Sequence, residues 1–475
     1  MPKTPGGQES SEPGRAAKAP DETAGLELVR AGAAANDAAM PSTRRSFLVT
    51  GAAAAAALAL PSCGSRPRRR LPRDPAQKAR LMIVGVAGRG GDNLAGVASE
   101  HIAVLCDVDA NHLAAAAKKF PGARLVADYR SVLQDAAACA ELDGVVVSTP
   151  DHTHYLPSML ALQQGLDVYC EKPLTHTVVQ ARQLLRTATA NGCVTQMGIQ
   201  IHANANYHRV VEAVRSGAVG TVREVIVFVN GTDWSARQLP PTGPVPEHLA
   251  WDLWLGPAAE REFSADFHPA GWRRYWAFGG GTTADMACHF VDLAFWSLEL
   301  DAPTTLRADG PEPHAECAPR GMRCEYAFPA RGARPAVTLK WHAGNDRPVE
   351  ALASRGLQDW GNGVLFVGDD GWLISNYDRH LIGPEARRAA WRAPAPFLVP
   401  SPGHHREWLD ACARRTQPST AFAYAAPLTE TVLLANVALR AARGKQLTWD
   451  AGAMRTDDAA ANALLAAPAR AGFDA

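Results

Sequence analysis

The stretch Arg80-Leu-Met-Ile-Val-Gly-Val-Ala-Gly-Arg-Gly90, RLMIVGVAGRG, decides how the rest of the chain is read. Its first half is an apolar strand pattern, and it runs into Gly85-x-Ala87-Gly88-Arg89-Gly90, after which a helical pattern begins. The first and third glycines of such a turn serve a tight bend and close helix packing, so that a pyrophosphate sits at the helix N-terminus. Ala87 holds the middle position and slightly crowds the approach of phosphate. A glycine-rich turn alone is weak evidence. It gains weight from HIAVLC (His101–Cys106), a second strand that ends at Asp107, 17 positions beyond Gly90. An acid at that place bonds a ribose 2′-hydroxyl and repels a 2′-phosphate. NAD is therefore favoured, and Arg89 leaves NADP open.

The same alternation continues. The strand DGVVVSTP (Asp143–Pro150) precedes a helical pattern after HTHYLPSMLALQQG. The strand LDVYCEKP then leads through VVQARQLLRTATANG to CVTQMGIQ (Cys193–Gln200). Strands alternating with helices imply a parallel sheet with right-handed crossovers. Pro173 removes a donor and pushes its predecessor toward extended geometry, so the strand before it must stop there. Glu171 and Lys172 thus stand at the carboxyl edge of the sheet, where ligands bind in open α/β folds. An isolated surface pair of this kind would carry little energy. Beside a cofactor turn, the functional reading is the stronger one.

The chain has 475 residues, with 48 basic and 48 acidic side chains and 47% apolar residues. That length allows two domains. Zero net charge gives no global reason to expect nucleic acid as a partner, and none is expected. Nine cysteines occur without a CxxC pair, so no zinc or thioredoxin motif is visible. Cys317 and Cys324 could pair in an oxidising compartment, a pairing that spacing alone does not establish.

The first eighty residues read as something other than fold. Residues 1–41 are rich in Ala, Gly, Pro and charge and are expected to be disordered. STRRSFLVTGAAAAAALALPSCGS follows, and its Arg44-Arg45 before Phe47-Leu48 and a short apolar run resembles a twin-arginine export signal (42–64). Val49 stands where a basic residue is usual, and Met40 is an alternative start. Leu60-Pro-Ser-Cys63 resembles a lipoprotein box with an unusual Pro61. The location expected is periplasmic, either as a lipoprotein anchored at Cys63 or after cleavage nearby. RPRRRLPRDP (Arg66–Pro75) falls in a linker over 65–78.

Taken together, GVAGRG, STPDHTH, CEKP and GGGTTADMACH (Gly279–His289) closely resemble the glucose–fructose oxidoreductase / inositol dehydrogenase (Gfo/Idh/MocA) family. WDLWLGPA (Trp251–Ala258) and PLTETVLLANVALRAARGKQLTWD extend the likeness over roughly 79–452. The resemblance implies an N-terminal Rossmann domain (79–200), then an α/β domain with a large open, mainly antiparallel sheet (201–452), leaving 453–475 as a tail. It also implies an NAD(P)-dependent dehydrogenase acting on a sugar, glycoside or cyclitol. Lys172, Asp285 and His289 are carried over as the catalytic group, and which of them takes the proton varies among members.

The residues support those roles independently. Alcohol oxidation needs hydride transfer to nicotinamide and removal of the hydroxyl proton. Burial and a neighbouring cationic nicotinamide would push the Lys172 pKa down and suit it to act as base. Asp285 and His289, at i and i+4, share one face of a helix, and the preceding triple glycine permits close backbone approach. His289 suits proton shuttling, and Asp285 suits orientation or hydroxyl binding. Glu171 positions ribose or Lys172.

The cofactor contacts expected are Gly85, Ala87, Gly88, Arg89, Gly90, Asp107, Thr149, Pro150, His154, Glu171 and Lys172, with Asp151 and His152 lining the nicotinamide side. A metal on His152 and His154 lacks further ligands in the sequence, so no metal site is expected. Five of the twelve tryptophans fall between Trp234 and Trp276, most of them as core and one or two as pocket walls. His404-His405 reads as substrate contact or helix cap. Two other functions compete: an NAD-dependent glycosidase of the same superfamily and a non-catalytic sugar-binding lipoprotein. The retained EKP opposes the first, since the NAD-dependent N-acetylgalactosaminidases depart from it, and intact Lys172, Asp285 and His289 oppose the second. The self-association state, including a homo-oligomer, is open at this level.

Overall fold

A computed structural model describes residues 70–474. The segments expected to form a disordered extension and a twin-arginine signal, Cys63 and the first part of the expected linker lie outside the described residues.

Six strands form the first sheet: β1 Arg80–Val84, β2 His101–Cys106, β3 Arg124–Val126, β4 Gly144–Val147, β5 Asp167–Glu171 and β6 Thr195–Gly198. Their order is β3-β2-β1-β4-β5-β6, and every pairing is parallel. This is the doubly wound Rossmann order, whose strand sequence reverses beside β1 and leaves a crevice at the carboxyl ends. β4 is buried at all four positions and β5 at all five, as expected for strands covered on both faces. Sequence reading passes over β3, because RLV is only three residues long and mostly exposed.

The second sheet has nine strands: β7 Val222–Val229, β8 Thr305–Asp309, β9 Gly321–Phe328, β10 Val337–Gly344, β11 Asn362–Gly368, β12 Gly371–Ser375, β13 His380–Gly383, β14 Gln446–Asp450 and β15 Arg455–Thr456. Their order is β13-β12-β11-β7-β10-β9-β8-β14-β15, antiparallel throughout except for β10 against β7. The mainly antiparallel sheet that the family resemblance implies is present. Two buried helices, Gly281–Leu298 and Phe422–Ala442, pack against each other and lie between this sheet and the Rossmann layer. The second is long and apolar enough to cross a membrane, but 83% of its most apolar window is buried inside the protein. It is a core helix.

Three segments depart from the linear reading. The helix His404–Arg414, far along the chain, returns to cover one face of the Rossmann sheet. Trp408 is fully buried there against Leu81, Ile83 and Val146, a burial whose loss typically costs about 3–5 kcal/mol. Arg415, just past the helix, pairs with Asp167 of β5 at 2.5 Å. The last residues are not a loose tail. β15 pairs with β14, Leu465 and Phe473 are buried, and the Arg130 guanidinium stacks 4.0 Å from the Phe473 ring. Two apolar anchors in an Ala/Gly/Pro-rich stretch have no periodicity to reveal them. The end of the linker is also packed, since Arg70 pairs with Asp143 at 2.8 Å and donates to the Gly165 carbonyl at 3.0 Å.

Candidate active site

The glycine turn works as its spacing requires. Gly85 has φ +84°, and a Cβ there would fall 2.7 Å from the Ser148 carbonyl oxygen of the neighbouring strand turn. A Cβ on Gly90 would overlap the Gly85 carbonyl oxygen, so the helix Arg89–Gly96 packs on its own entry strand only because no side chain intervenes. The turn opens on a cleft of about 790 Å³ lined by Gly85, Ala87, Gly88, Arg89, Asp107, Thr149, Pro150, Asp151, His154, Glu171, Lys172, Asp285 and His289. Of the expected contacts only Gly90 and His152 stand behind the wall, Gly90 as a packing residue. A second cavity, about 530 Å³, is lined by Arg215, Glu299, Asp301 and Arg331, which pair among themselves.

Asp107 is fixed at the end of β2 by the N–H groups of Val86 and Asp109, each at 2.9 Å. Its carboxylate is thus aimed beside the glycine turn. Arg89 pairs with Asp92 at 3.2 Å. The Thr149 hydroxyl is buried without a partner. The positive-φ turn, the open helix N-terminus, the anchored acid and the unpaired hydroxyl together fit a dinucleotide.

Lys172 extends from the end of β5 to the helix Gly281–Leu298. Its ammonium donates to the Asp285 carboxylate at 2.7 Å and to the Asp285 carbonyl at 2.6 Å. The same carboxylate accepts from Trp234 Nε1 at 2.8 Å and from Arg273 Nε at 3.3 Å. Arg273 lies over the Trp272 ring at 4.2 Å and the Trp234 ring at 5.2 Å. Asp285 therefore accepts from three donors, two of them cationic. Burial opposes its ionisation, but Lys172, Arg273 and the Trp234 N–H outweigh it and hold the carboxyl below the usual range.

This geometry overturns one expectation. Burial alone would lower the Lys172 pKa, but the carboxylates of Asp285, Glu171 and Asp151 outweigh it, and the ammonium titrates above its ordinary value. Lys172 is a charged donor in the protein by itself. His289 is the group pushed down, to about 3, by burial and then by the Lys172 charge. Its ring lines the cleft and its Nδ1 has no partner. Asp151 has no hydrogen-bonded side-chain partner among the described residues, and burial raises its carboxyl to about 7 against the pull of Arg273 and Lys172.

Glu171 turns into the protein instead. It accepts from Gln200 Nε2 at 2.6 Å, from Asn93 Nδ2 at 3.0 Å and from the Lys172 N–H at 3.2 Å. It ties the glycine-turn helix to β5 and positions the residue that follows it. His154 has its two ring nitrogens 2.8 Å from the Pro173 and Thr149 carbonyls, and His152 Nε2 lies 3.0 Å from the Trp254 carbonyl. These rings cross-tie loops and are not free to share an ion. His404 faces the Met197 carbonyl, and His405 bonds Asn93 at 2.8 Å. Both belong to packing and neither lines the cleft. Cys317 and Cys324 are buried free thiols, so the pairing considered for them does not form. The triple glycine lets the helix start against protein: a Cβ on Gly281, at φ +64°, would meet the Ala318 methyl at 2.6 Å.

Sequence reading missed Arg273, Asn93 and Gln200 as site residues, and also Tyr377, whose buried hydroxyl has no partner near His289; Trp234 belongs to the tryptophan group from which one or two pocket walls are expected. Only the tryptophan-rich stretch around GWRRYW offered a signal.

Two family models match consecutive parts of the chain: the Gfo/Idh/MocA oxidoreductase family, NAD-binding Rossmann fold, over residues 79–199, and its C-terminal alpha/beta domain over 204–334. The chain belongs to the Gfo/Idh/MocA oxidoreductase family. Among the similar proteins of this family is the inositol 2-dehydrogenase of Rhodococcus jostii, 28% identical over 148 residues, which are 30% of this chain and 39% of that one. The chain thus spans about two-fifths of the length of the curated relatives it matches. Solved structures align further. The WlbA dehydrogenase from Chromobacterium violaceum, in complex with NADH and UDP-GlcNAcA, superposes with a TM-score of 0.55 at 18% identity over 80% of this chain and 99% of that one. Levoglucosan dehydrogenase, in complex with NADH and levoglucosan, gives 0.54 at 17% identity over 78% and 99%. At such identities the likeness is one of fold.

Proposed function

We propose that this Gfo/Idh/MocA chain is an NAD-dependent dehydrogenase that oxidises a secondary alcohol of a sugar, glycoside or cyclitol, or runs the reverse reaction. The observation that carries this reading is Lys172 locked on Asp285 in the same cleft as the glycine turn, with the neutral ring of His289 beside them. The turn, Asp107 and Thr149 would hold the dinucleotide, which when bound accepts or returns a hydride. Lys172 donates to the substrate oxygen and stabilises its developing negative charge. Asp285 does not move a proton, because Lys172, Arg273 and Trp234 hold it ionised. The hydroxyl proton goes to His289, whose affinity for it rises as negative charge grows nearby. Asp151 and the Tyr377 hydroxyl offer polar contacts for further hydroxyls, and the Trp254 and Trp272 rings supply apolar walls of the kind sugar faces pack on.

The test is product analysis by mass spectrometry after incubating full-length protein and NAD with a panel of sugars, glycosides and cyclitols. The expected outcome is a keto product lighter by two hydrogens, with matching formation of NADH. Release of the free aglycone without net NADH would replace this reading with the glycosidase.

We also propose that Arg44 and Arg45 direct export through the twin-arginine route, which carries folded cargo, so that the protein leaves the cytoplasm with its nucleotide. The basis is the signal-like sequence itself. Cell fractionation of Arg44→Lys/Arg45→Lys should find the protein retained inside, and unchanged localisation would refute the proposal.

A further inference from the structure

At the Asp107 end of the cleft, three imidazoles converge on one buried carboxylate. Asp109 caps the helix Ala110–Ala117: its Oδ1 accepts the N–H groups of Asn111 at 2.8 Å and His112 at 3.3 Å. Its Oδ2 takes no backbone donor. Toward that oxygen point His268 Nε2 at 3.2 Å, His248 Nε2 at 3.6 Å and His112 Nδ1 at 3.8 Å. Only the first is short enough for a hydrogen bond, so direct bonding to the carboxylate leaves two of the three rings unexplained.

The spacing suits something else. Four ligands placed tetrahedrally about Zn²⁺, at bond lengths of ~2.0–2.2 Å, stand about 3.3–3.6 Å from one another. The distances of 3.2, 3.6 and 3.8 Å from Asp109 bracket that edge length. The ligating atoms of Asp109, His112 and His268 all lie within 4.8 Å of each other. Imidazole with carboxylate is a zinc donor set, and the two N–H groups on Oδ1 fix the carboxylate as outer-shell partners do. A further carboxylate, Asp107, stands 4.0 Å from His112 Nδ1 and adds negative potential.

We propose that Asp109, His112 and His268, with His248 at the rim, bind one Zn²⁺ ion. The ion clips the 248–269 segment over the end of β2. That segment already meets the β2 exit through two backbone bonds, Ala110 N–H to the His248 carbonyl at 2.8 Å and Ala250 N–H to the Val108 carbonyl at 2.9 Å. The zinc is a clip and not part of the hydride chemistry, and the site stands whether or not the dehydrogenase reading does. No sequence motif announces it, because Asp109 and His268 are 159 positions apart.

The test uses full-length protein stripped with EDTA and titrated with ZnCl₂, followed by calorimetry and metal analysis, with MgCl₂ in parallel and no substrate or nucleotide present. One Zn²⁺ per chain is expected, together with a rise in Tm that Mg²⁺ does not produce. His112→Ala/His268→Ala should weaken zinc binding on the order of tenfold or more, while His342→Ala, at a separate His–Asp pair, retains it. Circular dichroism establishes that the double variant is folded. If it is not, the milder His112→Gln takes its place. Absence of zinc binding by the wild type overturns the proposal. Undiminished binding by the folded variant does so too, by placing the ion elsewhere.

Discussion

Each end of the cleft is built on a carboxylate ringed by nitrogen donors, and the two rings behave differently. Asp285 is surrounded by Lys172, Arg273 and the Trp234 indole, and the Lys172 and Asp285 side chains keep only 11% and 14% of their exposure. Asp109 is more deeply placed, at 3% exposure, and its partners are imidazoles, from His268 at 17% exposure to His248 at 41%. In the first ring the cations are permanent and bonded directly to the carboxylate, so charge is organised before any ligand arrives. In the second the donors are rings able to bind protons or a metal, in contact with solvent. The difference teaches that a carboxylate's burial does not define its task. The chemistry and exposure of what faces it do.

The largest effect is expected at the permanent-charge end. Lys172→Ala should lower kcat on the order of 10²–10⁴-fold while nucleotide binding, measured by calorimetry, largely survives. Turnover near wild type would remove Lys172 from the chemistry. Next comes stability: Asp285→Ala leaves Lys172 and Arg273 facing each other without their anion, and denaturant unfolding should show a loss of ~3–5 kcal/mol.

Asp151, between the two in character, should reveal itself through pH. Its folded pKa of about 7 lies above the unfolded carboxyl value, so the folded chain holds an extra proton between roughly pH 4 and 7. The stability this proton supplies is complete below the unfolded pKa and is lost as pH rises through 7. In protein free of nucleotide, Asp151→Asn should therefore match wild type near pH 4 and exceed it at pH 8 by ~1–4 kcal/mol. A difference that does not change with pH would mean that Asp151 is ionised throughout.

The smallest effect is expected at the imidazole ring. In metal-free protein, Asp109→Ala loses a helix cap and the His268 hydrogen bond, together ~1–3 kcal/mol, and unfolding of this variant beside Asp285→Ala measures the contrast directly. Equal losses from both would show that the two rings are energetically alike.

Much of the fold could be read in advance, and the reason is local. RLMIVGVAGRG constrains itself through turn chemistry within a few residues, and the helical spacing of Asp285 and His289 follows from helix geometry alone. Strand–helix alternation and the position of Lys172 at a strand end follow in the same way, as does the presence of Asp107 beside the turn. Segments without periodicity were not legible. The three-residue β3 was missed, as were the packed residues after 453, because nothing in their own sequence marks what they rest against.

By itself the sequence determined the Rossmann half, the carboxyl edge at which the site opens, and the residue types available to it. Only the tertiary structure decided how those residues titrate and which ones meet. Lys172 keeps its charge because Asp285, 113 positions away, lies 2.7 Å from it. Arg273 enters the site, and His404 and His405 do not, for the same kind of reason. The helix His404–Arg414 closes a sheet made more than two hundred residues earlier. Backbone preference is a property of neighbours in sequence, whereas the charge state of a buried group sums over neighbours in space.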